Sequence, residues 1–226
     1  MLANPVWTAL TATQAPFGRR LGGAACFAPE VSVFAGLADN SDPQSWPDLA
    51  TVVEPDTVVV LVGADTAPPA GWTVEARIDG AQMNGAGLQV APDPEARPLG
   101  PDDVPAMIDL VERTKPGPFA PRTVELGGYL GIYRDGKLVA MAGERFRPPG
   151  WAEISAVCTD PDYRGLGLAY RLMRAVGAGI RERGDVPFLH VAGFNTNAIA
   201  LYERMGFTLQ RNTAFVAVRS PAAAGM

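Results

Sequence analysis

In the C-terminal half, Leu168, Leu172, Val176 and Ile180 recur every four residues, which lays an apolar stripe along one side of a helix and predicts one from about Gly165 to Arg183. Gly177 and Gly179 lie within that helix, each at a cost of about 1 kcal/mol relative to Ala. Upstream, Tyr129 to Tyr133 and Leu138 to Ala142 flank Asp135-Gly136, a pair that suits a type I′ turn because both central residues accept positive φ; a β-hairpin is expected. After the Pro148-Pro149-Gly150 turn, Trp151 to Cys158 reads as a third strand with Trp151, Glu153, Ser155 and Val157 on one face. Before the hairpin, Asp102 as N-cap, Pro105 in the first turn and apolar Met107, Ile108, Leu110 and Val111 predict a helix. After the long helix come a strand at Phe188 to Val191, a short helix at Asn197 to Met205 closed by Gly206, and a strand from Phe207 to Val218. The order is a helix, three antiparallel strands, then α, β, α, β, which makes a mixed α/β sheet.

The N-terminal half has weaker patterning. Val58 to Val62 predicts a buried strand spanning Thr57 to Val62, and Pro68-Pro69-Ala70-Gly71 a turn. Between residues 15 and 50, Gly, Pro and Ala are so frequent that neither the helical nor the strand period dominates, and no chemical motif stands out. The stretch Gly80 to Arg97 reads as a loop or linker. The expected organisation is therefore an N-terminal domain over 1–87, with a structural or capping role, and a second domain over 88–226.

Composition narrows the class. The chain has 226 residues, 47% of them hydrophobic and 19% charged, and its 25 Gly and 21 Pro fall short of a low-complexity composition. No apolar run approaches the roughly 18 residues of a membrane helix, and Pro, Gly, Thr and Gln interrupt the first thirty residues, so neither membrane nor secretion signal is expected. The net charge of −5 argues against nucleic acid as the main partner. That charge is unevenly divided. Residues 1 to 95 carry three cations and eleven acids, whereas residues 96 to 226 carry sixteen and thirteen, which assigns an anionic ligand to the second half. Cys26, Cys158 and a single His supply neither a disulfide framework nor a metal site, and a reducing cytoplasm is the expected setting.

The chemistry concentrates between the third strand and the long helix, in the run from Thr159 to Ala169. Gly165, Gly167 and Ala169 there bring small residues to a helix start, whose free N–H groups and dipole suit a pyrophosphate. A glycine pair alone equally suits a tight strand-to-helix turn. A dinucleotide fingerprint fits poorly, because Tyr170 occupies its third small position and a hairpin precedes it. A Walker A loop fails because Leu138 follows Gly136-Lys137.

Arg164-Gly165-Leu166-Gly167-Leu168-Ala169 resembles the Q/R-x-x-G-x-G/A acetyl-CoA motif of the GNAT N-acetyltransferase superfamily. Ile154 to Thr159 resembles that family's fourth strand, and Val191, Asn195, Ala198, Ile199, Leu201, Tyr202, Gly206 and Phe207 match its V-x-x-x-N-x-x-A-I-x-L-Y-x-x-x-G-F segment. The likeness covers about 130 residues, from Leu88 to Val218, and extends to the branch holding glycine acyltransferase-like proteins, whose chains carry a degenerate first GNAT-like domain. It implies a mostly antiparallel GNAT-type sheet flanked by helices, preceded by a smaller, degenerate GNAT-like domain. It also implies acetyl-CoA as cosubstrate. The backbone of Val157, Cys158 and Thr159 would pair with the pantetheine arm, and the amides of Arg164, Gly165, Leu166, Gly167, Leu168 and Ala169 would hold the pyrophosphate. Asn195 would bond the pantetheine region, and Tyr202 would protonate the departing thiolate, a task suited to a phenol of pKa about 10.

A base is also needed, and Glu153 and Glu144 qualify by strand position. Each equally suits a surface carboxylate paired with Arg145 or Arg147. His190, between Leu189 and Val191, reads as a hydrogen-bonded core residue, and Cys158 as an acyl-carrying nucleophile would need His190 beside it. The expected activity is acetyl transfer to a primary amine of a small molecule or peptide in a ternary complex. Transfer of a longer acyl group to an amino acid and non-catalytic acyl-CoA sensing are the alternatives. If residues 1–87 line the acceptor cleft, their negative charge favours a cationic amine.

Overall fold

The computed structural model describes residues 2–39, 42–63 and 67–223. In the first half, α1 (Pro5–Leu10) starts at Asn4, whose side chain accepts the Trp7 N–H. There follow β1 (Gly18–Leu21), β2 (Ala24–Phe27), β3 (Phe34–Leu37), α2 (Ser45–Val52), β4 (Val58–Val62) and β5 (Thr73–Asn84). The second half contains β6 (Arg97–Leu99), α3 (Val104–Thr114), β7 (Tyr129–Arg134), β8 (Lys137–Glu144), β9 (Trp151–Thr159), α4 (Leu168–Glu182), β10 (Val186–Ala192), α5 (Thr196–Arg204) and β11 (Thr208–Arg219).

All eleven strands join one open sheet in the order β1-β2-β3-β4-β11-β5-β10-β9-β8-β7-β6. Pairing is antiparallel except between β3 and β4 and between β9 and β10. The mixed, largely antiparallel sheet flanked by helices is the architecture that the patterning and the GNAT resemblance imply. The β7–β8 hairpin turns at Asp135 and Gly136 with φ of 49° and 78°, as the type I′ reading requires. Leu168, Leu172, Val176 and Ile180 of α4 are buried against Ile132, Val139, Ala152 and Ile154 of the sheet.

Three local expectations are corrected. Gly80 is not in a loop: β5 runs from Thr73 to Asn84 between β10 and β11, and a Cβ at Gly80 would lie 2.5 Å from the Val191 carbonyl oxygen. The glycine marks a close approach of two strands, which resembles a breaker in sequence. Asp102 does not cap α3, because a single 3₁₀ turn, Pro101–Asp103, precedes the helix and Asp103 takes the Gly100 N–H at 3.0 Å. Val157 does not share a face with Glu153. Ser155 pairs with Gly143 and Cys158 with Met141, so two residues of β9 oppose one of β8 in a bulge, with Ala156 at a φ of 52°. The bulge inverts the alternation, and Val157 packs with the cluster containing Ile154.

Candidate active site

The two parallel strands at the centre of the second half separate. Trp151, Ala152 and Glu153 of β9 pair with Val186, Pro187 and Phe188 of β10, and beyond that point β9 pairs only with β8 and β10 only with β5. The bulge at Ala156 turns β9 away just past the last shared pair. A cavity of about 940 Å³ occupies the gap, lined by the Ile154 to Thr159 edge of β9 and the Leu189 to Ala192 edge of β10. Facing strand edges without mutual hydrogen bonds form a slot for an extended ligand with amide groups of its own.

The cavity opens onto the turn between β9 and α4. Asp160 anchors that turn: buried to 3% side-chain exposure, it is ion-paired to Arg113 and to Lys137, and accepts the Asp162 N–H at 3.1 Å. Gly165 and Gly167 then adopt φ of 80° and 71°, with no atom within 4 Å of a Cβ built on either. Neither glycine is needed for packing; each supplies a left-handed conformation and leaves the surface before α4 bare. Gly167 occupies the N-cap position of α4 without a side-chain cap, so the first N–H groups of the helix remain open to a ligand. Lys115, Arg164 and Arg204 line the same cavity. Bare amides, a helix start and nearby cations fit the phosphate-bearing end of a CoA thioester.

The cavity brings together Val157, Cys158, Thr159, Arg164, Gly165, Gly167, Leu168, Ala169, Asn195 and Tyr202. Leu166 is exposed and not part of the lining. Asn195 also caps α5, accepting the Ala198 N–H at 3.3 Å. Burial pushes the Tyr202 phenol up to about 12, which keeps it protonated and able to donate. Burial likewise pushes the Cys158 thiol up to about 11, which suits an inert wall residue rather than a nucleophile.

Glu153 and Glu144 do not line the cavity. Glu153 is fully buried and bonded by Arg145 Nε and Nη2 at 2.9 and 2.6 Å and by His190 Nδ1 at 2.7 Å. Burial raises its pKa, but Arg145 and His190 outweigh that effect and hold it at about 2. It is a counter-ion inside the core, not the surface carboxylate its strand position also allowed. Glu144, 2% exposed, accepts from Arg183 Nη2 at 2.6 Å and from the Gly128 N–H at 3.3 Å. His190 has a fully buried side chain ringed by Phe146, Phe188 and Phe215, and its Nε2 lies 3.0 Å from Gln82 Nε2.

The acids of residues 1–87 do not line the cavity. That segment contributes Phe34, Val60, Ala76 and Ile78, and the Lys, Arg, Asp and Glu residues among the described lining are all basic: Lys115, Arg145, Arg164 and Arg204. The first-half residues that line the cavity are thus apolar rather than acidic. The apolar wall was hidden in the sequence because its members lie on three strands distant in the chain.

Residues 129–216 match the FR47-like protein family. A protein of the GNAT family from Novosphingobium aromaticivorans is 38% identical, with 98% of this chain and 99% of that one covered and a TM-score of 0.89. The chain belongs to the GNAT family of acetyltransferases. Family members use acetyl-CoA as cosubstrate. A GCN5-related N-acetyltransferase from Kribbella flavida shares the fold at 19% identity, with 96% and 94% covered and a TM-score of 0.62. Mycothiol acetyltransferase from Thermomonospora curvata is 36% identical over 77 residues, which are 33% of this chain and 26% of that protein. N-alpha-acetyltransferase RimI from Mycobacterium tuberculosis is 38% identical over 82 residues, 35% of this chain and 51% of that protein. The chain thus matches between about a quarter and a half of the length of these two curated relatives. Among the described residues, no helix is long and apolar enough to cross a membrane.

Proposed function

We propose that this chain is an acetyl-CoA-dependent N-acetyltransferase that moves the acetyl group directly to a primary amine of a small molecule or peptide in the cytoplasm. The observation that carries the reading is the cavity running from the separated edges of β9 and β10 to the bare Gly165 and Gly167 turn, with the Tyr202 phenol on its wall. The backbone of Val157 to Thr159 pairs with the pantetheine arm, the Arg164 to Ala169 amides hold the pyrophosphate, and Asn195 bonds the pantetheine region. Acetyl-CoA supplies the activated acyl carbon.

Holding amine and thioester together converts a bimolecular encounter into an oriented one. The amine nitrogen forms a bond to the acyl carbon as the carbon–sulfur bond breaks, Tyr202 gives its proton to the departing sulfur, and solvent reprotonates the phenol. The nitrogen loses its proton to cavity water, because Glu153 and Glu144 are engaged as counter-ions. Residues 1–87 act as a domain that walls the acceptor end. Relatives named for mycothiol and for an N-alpha acetyl transfer support an amine acceptor.

Tyr202→Phe tests the reading against a non-catalytic acyl-CoA sensor. The enzyme reading expects kcat to fall about 10²- to 10⁴-fold with acetyl-CoA affinity retained. A wild-type protein that binds acetyl-CoA but turns over none of a broad panel of amines and peptides supports the sensor.

A further inference from the structure

The acetyltransferase reading leaves one charged group of the cavity without a task. Arg145 follows β8 and lines the cavity with a side chain only 11% exposed. The carbon of its guanidinium lies 4.6 Å from the ring centroid of Phe34 and 4.6 Å from that of Phe146. Nε and Nη2 are both committed to the Glu153 carboxylate. Among the described residues, Nη1 has no hydrogen-bond partner. An arginine so held has lost its rotamer freedom before any ligand arrives, and two N–H donors remain on one edge.

Arg145 borders an apolar platform on the cavity wall. Phe34 of β3 pairs with Val60 of β4, Val60 with Ala217 of β11, and Ala217 with Ala76 of β5. Phe215 pairs with Ile78 one row further on. Directly paired residues share a face of the sheet, and all six line the cavity. Ile78 is 41% exposed, an apolar surface open to a ligand. No carboxylate belongs to the described lining, so nothing there competes for the Arg145 donors.

Resting on the acetyltransferase reading, we infer that the acceptor is an amine with an apolar body and a carboxylate, the carboxylate bonding Arg145 Nη1 and the body lying on the Phe34, Val60, Ile78 and Phe215 platform. A free amino acid with a branched aliphatic or aromatic side chain has this chemistry. Arg145 is thereby a specificity-determining residue. Because Glu153 already neutralises it, Arg145 selects by directed donors more than by net charge, and the ligand carboxylate gains a charge-assisted hydrogen bond in a largely desolvated place.

The test compares leucine, leucinamide and 3-methylbutylamine as acceptors of wild-type enzyme at fixed acetyl-CoA, with acetyl-CoA binding measured by calorimetry on the same preparation. The expected result is a kcat/KM for leucine about ten- to a hundredfold above that for 3-methylbutylamine, expressed in KM, with leucinamide below leucine. Arg145→Lys should erase most of that preference. Ile78→Asp, at an exposed position that does not threaten the fold, should raise the KM for leucine. Equal use of the three acceptors, or preference for the carboxylate-free amine, with acetyl-CoA binding intact, overturns the inference and leaves the acetyltransferase reading standing. Absence of acetyl-CoA binding removes both.

Discussion

Gly80 of β5 and Val191 of β10 approach so closely that a Cβ on Gly80 would sit 2.5 Å from the Val191 carbonyl oxygen. The contact joins a strand of the first half to a wall of the cavity, since Val191 belongs to the β10 edge facing the gap. Gly80→Ala must push the strands apart and should destabilise the protein by about 1–3 kcal/mol, read as a lower urea midpoint. Gly179→Ala in α4 is the control: the nearest atom to its Cβ would be the end of Arg183 at 3.8 Å, so the change should stabilise by about 0.5–1 kcal/mol.

The buried pair of Arg145 and Glu153 should behave as a structural unit. Glu153→Gln leaves Arg145 in the core without its counter-ion and should cost about 3–5 kcal/mol. The folded pKa of Glu153, about 2, lies below its ordinary 4.5, so its contribution is complete above pH 4.5 and is lost as the pH falls toward 2. Urea midpoints measured from pH 7 to pH 2.5 should fall more steeply for wild type than for Glu153→Gln.

Asp160 fixes the turn that carries Gly165 and Gly167 by its pairs with Arg113 and Lys137. Asp160→Ala should loosen that turn and weaken acetyl-CoA binding by about tenfold, a loss of about 1.4 kcal/mol. Affinity for a short pantetheine thioester without the nucleotide should change little, because the β9 and β10 edges remain.

The second half was legible because its elements declare themselves locally. The four-residue recurrence of Leu168 to Ile180 and the Asp135-Gly136 turn each have one physical reading, and the glycines before α4 gained theirs from two linked motifs that identified the family. In the first half, β2 and β3 are rich in small residues whose role is set by neighbours, as with Gly36, where a Cβ would lie 2.5 Å from the Trp7 nitrogen. The bulge at Ala156 left no mark in composition, and its consequence was the wrong face for Val157. The roles of Glu153 and Arg145 were equally hidden: a strand position allowed Glu153 to face the interior or the surface, and its pairing with Arg145 and His190 is a tertiary event. The apolar wall of the cavity follows from the pairing of β3, β4, β11 and β5, which residue spacing alone does not encode.

The most direct test of the central claim is calorimetric titration with acetyl-CoA of wild type and of Gly167→Val, with circular dichroism confirming that the variant is folded. Valine at a φ of 71° incurs about 1–2 kcal/mol of backbone strain and fills the bare surface before α4. Wild type should bind with micromolar or tighter affinity, and the variant should lose at least about tenfold. Wild type that binds no acetyl-CoA, or a folded variant that binds it as tightly as wild type, would contradict the claim.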